Sequence, residues 1–327
     1  MNIMIIGGAG FIGSHVVDLL HKNQSNHLFI FDDLSTGKLE NIRHLISTKH
    51  NTRTRFELLD VNKWEHVFDA FERFKPEVVI LLAAQGSIAK SEEDPNLDAN
   101  TNILGMLNVT RAAKRCSVRK IIFTSTSAVY RERRWGKLRE SDVCEPKSPY
   151  GISKLAAESY LRHLFPESVV LRLGNVYGPR QVPIGENQVV PRAIRHFKYG
   201  DEFQVFGDGR QTRDYVFVRD VAEAVQCSIT GKAGTYNIAT GKRHSVNDVA
   251  RALADLYEVP GYPWEHRAEG DSRRDICLDV RRAEEYLDWV PHTKFVDGLK
   301  MTKEWWEINP PEQPVAVKVP IAFEVVV

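Results

Sequence analysis

The stretch NIMIIGGAGFIGSHVVDLLH, Asn2 to His21, decides the architecture. Ile3 to Ile6 is a short apolar run, Gly7 to Gly13 is a turn with glycines at 7, 10 and 13, and Ser14 to His21 is a helical pattern with Val16, Val17, Leu19 and Leu20 apolar. Strand, glycine turn and helix in that order let the chain turn tightly, bring backbone N–H groups to a helix N-terminus that can hold a pyrophosphate, and pack helix closely on strand. Asp32 ends the next apolar run, about 20 residues on, where a carboxylate accepts hydrogen bonds from the hydroxyls of an adenosine ribose. An acid there also repels a 2′-phosphate, so the expected cofactor is NAD rather than NADP.

Outward from this unit the pattern repeats. Short β-branched runs at His27 to Phe31, Arg55 to Leu59, Val78 to Leu82, Lys120 to Ser125 and Ser168 to Arg172 alternate with helical stretches. Parallel strands need long crossovers and both sheet faces must be covered, so the expected fold class is α/β: a doubly wound parallel sheet of Rossmann type with a smaller α+β substrate-binding lobe. After Pro179 the pattern loosens into turns such as Gly207-Asp208-Gly209, with helical stretches around Asp220 to Ile229 and Val246 to Tyr257. The expected division is 1–178 for the NAD-binding domain, 179–309 mainly for the substrate-binding lobe with room for segments that return to the sheet, and 310–327 for a C-terminal extended arm. In that arm every odd position from Val315 to Val327 is apolar, a period of two that reads as a strand adding to a sheet edge, the alternative being a loose tail.

Of the 327 residues 43% are hydrophobic, which excludes a disordered chain, and 44 basic against 43 acidic residues leave a net charge of +1. Nothing at whole-chain level draws the protein to nucleic acid or to an anionic membrane, and no apolar run approaches the roughly 18 residues of a membrane span. Cys116, Cys144, Cys227 and Cys277 are far apart, with no C-x-x-C pair and no histidine cluster, so neither a metal site nor a disulfide framework is expected. A cytoplasmic protein follows as the expectation.

Tyr150 and Lys154 open a helical stretch, and a spacing of four puts phenol and ammonium on one helix face. A tyrosine is half-ionised only near pH 10, so a nearby cation is what would let it act as a base near neutrality. Of the ten tyrosines only Tyr150 has a lysine four residues later. It also follows Ser125-Thr126-Ser127, hydroxyls at the end of an apolar strand and so on the cofactor side of the sheet.

These motifs stand in an order that resembles the extended short-chain dehydrogenases/reductases of the NAD-dependent sugar epimerase/dehydratase family, and is most similar to its UDP-glucose 4-epimerases. The resemblance covers about residues 1 to 306 and rests on GGAGFIGSH at 7, DDLSTGK at 32, Asp60-Val61, LAAQ at 82, STSAVY at 125, SPYGISKLAAE at 148, RLGNVYGPRQ at 172, FGDGRQTRDYVFVRDVA at 206, YNIATG at 236 and EGD at 269. It implies NAD held by Gly7, Gly10, Phe11, Ile12, Gly13, Asp32, Ser35, Gly37, Asp60, Val61, Leu82, Ala83, Ala84 and Gln85, together with Tyr150 and Lys154. It implies catalysis by Thr126, Tyr150 and Lys154. A nucleotide sugar, UDP-linked, would meet Ser87, Thr126, Tyr150, Asn175, Gln188, Val189, Gln204, Phe206, Arg213 and Asp271. A homodimer is implied through the two helical patterns Asn96 to Cys116 and Tyr150 to Phe165.

The departures from the family pattern are specific. Leu81 replaces a histidine before LAAQ, and Arg131 replaces a glycine after the Val-Tyr pair, where the loop should differ in shape. Ala268 replaces a phosphate-binding arginine, for which Arg267 or Arg273 could substitute. The 4,6-dehydratases carry Asp-Glu after the catalytic threonine, and this chain has Ser127-Ala128. The implied activity is therefore 4-epimerisation of a nucleotide sugar through a transient 4-keto sugar. The alternatives are a dehydratase or decarboxylase of the same family, or, in another class, a catalytically silent NAD-binding regulator. Asp275 falls where family side-chain size bears on acceptance of N-acetyl sugars.

Overall fold

The computed structural model describes residues 1–46, 53–131, 133, 136–183, 188–259, 265–267 and 275–310. The first half runs β1 (Asn2–Ile6), α1 (Phe11–His21), β2 (His27–Asp32), α2 (Arg43–Ile46), β3 (Thr54–Leu58), α3 (Trp64–Phe74), β4 (Val78–Leu81), α4 (Ile88–Glu93), α5 (Pro95–Ala99), a π-helical segment (Asn100–Gly105), α6 (Met106–Arg115), β5 (Lys120–Thr126) and α7 (Pro149–Leu164). The second half runs β6 (Val169–Leu173), β7 (Asn175–Tyr177), α8 (Val189–Tyr199), β8 (Gln204–Phe206), β9 (Thr212–Arg213), β10 (Tyr215–Phe217), α9 (Val218–Ser228), β11 (Gly234–Ile238), β12 (His244–Ser245), α10 (Val246–Leu256), β13 (Glu265–Arg267), α11 (Arg281–Leu287) and α12 (Phe295–Ile308).

Seven strands form one parallel sheet in the order β11-β6-β5-β4-β1-β2-β3. This is the doubly wound Rossmann arrangement expected from the alternating runs. The central strands β1, β4, β5 and β6 are buried on both faces, which is why they read as mainly apolar stretches, whereas β3 at the edge is partly exposed. In β1 the side chains of Ile3 and Ile5 pack under α1 and α9, while Met4 and Ile6 pack on the other face under α3, α6 and α7. The chain builds β1, β2 and β3 to one side, then crosses to place β4 on the other flank of β1. Ligands of such sheets bind where the order reverses, beyond the carboxyl ends of the strands.

After β6 the chain leaves the sheet, and Gly234 to Ile238 bring it back as the edge strand β11. The excursion builds a second core from α8, α10 and α12, in which Ile194, Phe203, Phe217, Leu253, Leu299 and Trp306 are buried. Three two-stranded pairs, β7 with β10, β9 with β12 and β8 with β13, tie this core to the mouth of the sheet. The run from Asn96 to Cys116 is helical, as its pattern predicts, but the six residues Asn100–Gly105 widen into a π turn. All but the first residue of the 310–327 arm lies outside the described residues, and so do Ala268, Asp271 and Arg273.

Candidate active site

At the reversal of strand order Gly7 adopts φ +85°, and a Cβ there would lie 2.5 Å from the amide nitrogen of Ala83, after β4. A Cβ on Gly13 would lie 2.0 Å from the Gly7 carbonyl oxygen. Side chains are thus excluded where strand, turn and helix meet. Gly10 caps α1 without a side chain, which leaves the N–H groups of the first turn for a ligand, and Phe11 and Ile12 line the cleft beside them. Asp32 is buried at the end of β2 and accepts from the N–H groups of Ala9 (2.8 Å) and Leu34 (2.9 Å). Burial pushes its carboxyl up and those N–H groups pull it down. The loop that holds Ser35 and Gly37 is pinned over the glycine turn, because Lys38 N–H and the Asn41 amide both donate to the Ala9 carbonyl. Ser35 itself is exposed and bonded to Asp33, and a Cβ on Gly37 would press on the Asp32 carboxylate.

Asp60 follows β3 and accepts from Asn62 N–H, while Val61 is buried against Gly105. Leu82 and Ala83 both donate their N–H to the Ile6 carbonyl, which joins the β4 loop to the end of β1. Gln85 turns inward: its amide donates to Asp98 (3.0 Å) and to the Ser87 carbonyl, and its side-chain oxygen accepts from Ser87 N–H. Its role here is to hold the loop.

Thr126 ends β5, and its Oγ1 accepts from Ala128 N–H at 3.1 Å to cap the turn that follows. α7 begins opposite. Ser148 caps it by accepting from Gly151 N–H, Pro149 occupies the first turn, and Tyr150 N–H donates to the buried Ser91 of α4. A Cβ on Gly151 would sit 2.7 Å from the Ala128 carbonyl oxygen, so glycine permits α7 to close on the Thr126 turn. Tyr150 therefore faces Thr126 across the cleft floor, with Lys154 one turn deeper and 2% exposed. The spacing predicts a phenol drawn toward ionisation by the ammonium. Burial instead pushes it up to about 12, with the Thr126 hydroxyl pulling down and Asp98 pushing further up. Burial pulls Lys154 down to about 8 against the opposing charges of Glu158 and Asp98. Its Nζ lies 4.2 Å from the centre of the Phe123 ring, and no hydrogen-bond acceptor meets it among the described residues. A buried ammonium, a helix N-terminus free of side chains and a buried carboxylate at the carboxyl end of β2 fit a nicotinamide dinucleotide.

The cleft is about 390 Å³. Ser87, Thr126 and Tyr150 line one side, and Asn175, Gln188, Val189, Gln204 and Arg213 line the other. Phe206 lies on β8, but its side chain is outside the description, as is that of Arg267 on β13. Asn175 and Arg213 are set by Asp214, whose buried carboxylate accepts from Thr240, Gly241 and Leu278 and whose carbonyl accepts from Asn175 N–H. Asp275 turns away: Thr212 donates to it through both N–H and hydroxyl, and the cleft wall at that step is Ile276. Leu81, at the histidine position, is buried in the sheet core. Arg131 pairs with Glu145 at the surface. Among the described residues the cleft wall carries three cations, Lys147, Arg192 and Arg213, and no carboxylate.

Asp98, Asn102, Glu158 and Arg172 organise this site from behind; the last two stand in the SPYGISKLAAE and RLGNVYGPRQ motifs, which give no sign that they pair. Asn102 lies in the π segment, where its amide reaches Asp98, Ser153 and the Gln85 carbonyl. π segments are common at functional sites.

The NAD dependent epimerase/dehydratase family model matches residues 3–239. The UDP-glucose 4-epimerase of Mycolicibacterium smegmatis is 36% identical over 315 residues, covering 94% of this chain and 98% of that one. The crystal structure of UDP-glucose 4-epimerase from Thermotoga maritima with UDP-glucose is similar at a TM-score of 0.87 and 36% identity, covering 94% of this chain and 99% of that chain. The Thermus thermophilus UDP-glucose 4-epimerase complex with NAD gives 0.84 and 35%, with the same coverage.

Proposed function

The chain belongs to the NAD dependent epimerase/dehydratase family, and on that premise we propose that it is a nucleotide-sugar 4-epimerase of the UDP-glucose kind. The observation that carries this reading is the cleft wall. Three cations suit a nucleoside diphosphate, and two facing hydroxyls with a buried ammonium suit proton transfer at a sugar oxygen. The Ser127-Ala128 pair stands where the 4,6-dehydratases carry Asp-Glu, so the described wall lacks the acid and base that would eliminate water.

NAD, when bound, supplies the redox step, taking a hydride from the sugar carbon and giving it back. Tyr150 takes the proton of the C4 hydroxyl at its phenolic oxygen, while Thr126 donates a hydrogen bond to the same sugar oxygen. Lys154 stabilises the phenolate form in which Tyr150 takes that proton. The 4-keto sugar then presents its opposite face, Tyr150 returns the proton, and C4 is inverted. Arg213 holds the diphosphate as the sugar turns, with Asn175, Gln188, Val189, Gln204, Phe206, Asp271 and Ser87 completing its site. Asp32 selects NAD over NADP.

The reading extends to organisation. Residues 1–178 hold the cofactor and 179–309 mainly the substrate. Leu104, Ile152 and Tyr160 are about half exposed on the π segment and α7, and this apolar face joins two copies in a homodimer. Among the described residues no helix is long and apolar enough to cross a membrane, and the four cysteines are free, in keeping with the cytoplasm.

Incubation with UDP-glucose and with UDP-galactose, followed by NMR, should give the same mixture from either side. Tyr150→Phe should fold, keep its NAD and lose 10²-fold or more of turnover, as expected for a lost acid–base group. A 4-keto-6-deoxy or decarboxylated product would overturn the reading, and so would NADP in the denatured protein.

A further inference from the structure

We infer that Asp98 is a positioning residue for the Tyr150–Lys154 pair, a buried carboxylate tied to the helix that carries both groups and whose charge acts on both. The inference rests on the proposed role of that pair. Asp98 stands on α5, which packs against α7, and it is 1% exposed. Its Oδ1 accepts from Gln85 Nε2 and from Asn102 Nδ2, each at 3.0 Å. Asn102 Nδ2 also donates to Ser153 Oγ at 3.0 Å, and Ser153 in turn donates to the Tyr150 carbonyl. The carboxylate is thus tied through neutral groups to the helix that carries both members of the pair.

Neutral donors matter because they leave the charge uncancelled. Glu158, the other buried acid near Lys154, is paired with Arg172, which meets both of its oxygens, and lies 3.7 Å from Arg162. Its charge still acts on Lys154, more strongly than that of Asp98, whereas of the two acids only Asp98 acts on Tyr150. Asp98 has no cationic partner among the described residues, and its charge acts on both groups of the pair. Both respond, the ammonium and the phenol each being raised by it. Other charges on the elements packed against α7 are spent or solvated. Lys120, at the far end of β5, donates to the carbonyls of Ser228 and Gly231. Lys90, Glu92 and Glu93 of α4, and Arg111, Lys114 and Arg115 of α6, are exposed.

The isosteric change Asp98→Asn tests this, since an asparagine oxygen can accept both amide hydrogen bonds while the charge is lost. Removing a negative charge eases ionisation of Tyr150 and deprotonation of Lys154, so both limbs of the pH–turnover profile should move down by about one pH unit. The tyrosine ionisation seen by ultraviolet absorbance in Asp98→Asn, and missing from its Tyr150→Phe double variant, should move the same way. Limbs that stay in place, with or without a lower melting temperature, would overturn the inference and leave Asp98 a structural residue. If Asp98→Asn does not fold, Asp98→Ser removes the same charge with less bulk and must show the same displacement. A Tyr150→Phe variant that keeps its turnover would instead overturn the assignment of the pair, whatever Asp98 does.

Discussion

Lys154 and Glu158 stand one turn apart on α7, both buried, and their surroundings treat charge in opposite ways. Glu158 is fully buried and met by Arg172 Nε at 3.0 Å, Arg172 Nη2 at 2.7 Å and the Ser125 hydroxyl at 2.5 Å. Arg172 lies 4.7 Å from the centre of the Tyr130 ring, and the Tyr130 hydroxyl donates to Asn237 on β11. Every charge in that cluster has a partner, and together they join α7, β5, β6 and β11. Lys154 has an aromatic face, two carboxylates acting at a distance, and no hydrogen-bond acceptor among the described residues. A buried charge that is fully paired holds elements together. One left short of partners is poised to respond to a ligand or a proton.

The largest effect should follow from breaking the paired cluster. Arg172→Met keeps much of the side-chain volume and leaves Glu158 buried with a single hydroxyl donor and a distant Arg162, a loss of about 3–5 kcal/mol. A urea midpoint displaced with an unchanged slope would measure it. Adding Glu158→Leu should recover most of the stability, because well-packed apolar replacements for a buried ion pair are often neutral. If Arg172→Met is as stable as the parent, the contrast between the two charges is lost.

Lys154→Met should act in the other direction. The folded protein holds this proton down at about 8, against an ordinary 10.5. The unfolded chain therefore binds it more tightly, and the ammonium destabilises the fold wherever both states are charged, below about 8. The deficit shrinks as pH rises through 8 and is gone above 10.5, and its size at neutrality is about 3 kcal/mol from 1.36 kcal/mol per pH unit. Lys154→Met should thus be the more stable protein at pH 7 and match the parent near pH 10.5, while its turnover is lost. A variant that is less stable at pH 7 would show that Lys154, like Glu158, serves the fold.

The same contrast marks what local sequence can disclose. The strands β1, β4 and β5 stand within a residue or so of their apolar runs, since a strand covered on both faces must be apolar throughout. The glycine turn, Asp32 and the Tyr150–Lys154 spacing are legible because their geometry is local. β7, β9, β10 and β12, of two or three residues each, are too short to carry a period. β11, whose residues are Gly-Thr-Tyr-Asn-Ile, gives no sign that it rejoins the sheet, because its place follows from α9 packing on α1. Asp98 and Asn102 meet at a helical spacing of four, but their bonds to Gln85 and Ser153, like the Glu158–Arg172 pair, reach 13 to 51 residues along the chain and cannot be read from spacing. Asp275 and Ile276 differ by one position in a loop, where no periodicity sets which side chain reaches the cleft. Spacing also puts the cation beside Tyr150 without saying how dry the place is, and burial decides the direction.

Thr126→Ala should give the smallest change, and its sign separates a dipole from a charge. The Thr126 hydroxyl accepts from Ala128 N–H in a partly exposed turn, so removing it costs about 1 kcal/mol of stability, as for other lost caps. The same hydroxyl draws Tyr150 down, against the burial and the Asp98 charge that push it up. Without it the phenol ionises less readily, so the acid limb of the turnover profile should move to higher pH, opposite to the displacement expected of Asp98→Asn. Thr126→Ser, which keeps the hydroxyl, should leave the limb in place. Turnover should fall less in Thr126→Ala than in Tyr150→Phe, because the base remains and only its hydrogen-bonded neighbour is gone. An acid limb that moves down in Thr126→Ala would mean that the hydroxyl hydrogen-bonds the neutral phenol in preference to its anion, and the proton transfer at the sugar oxygen would then need a different donor.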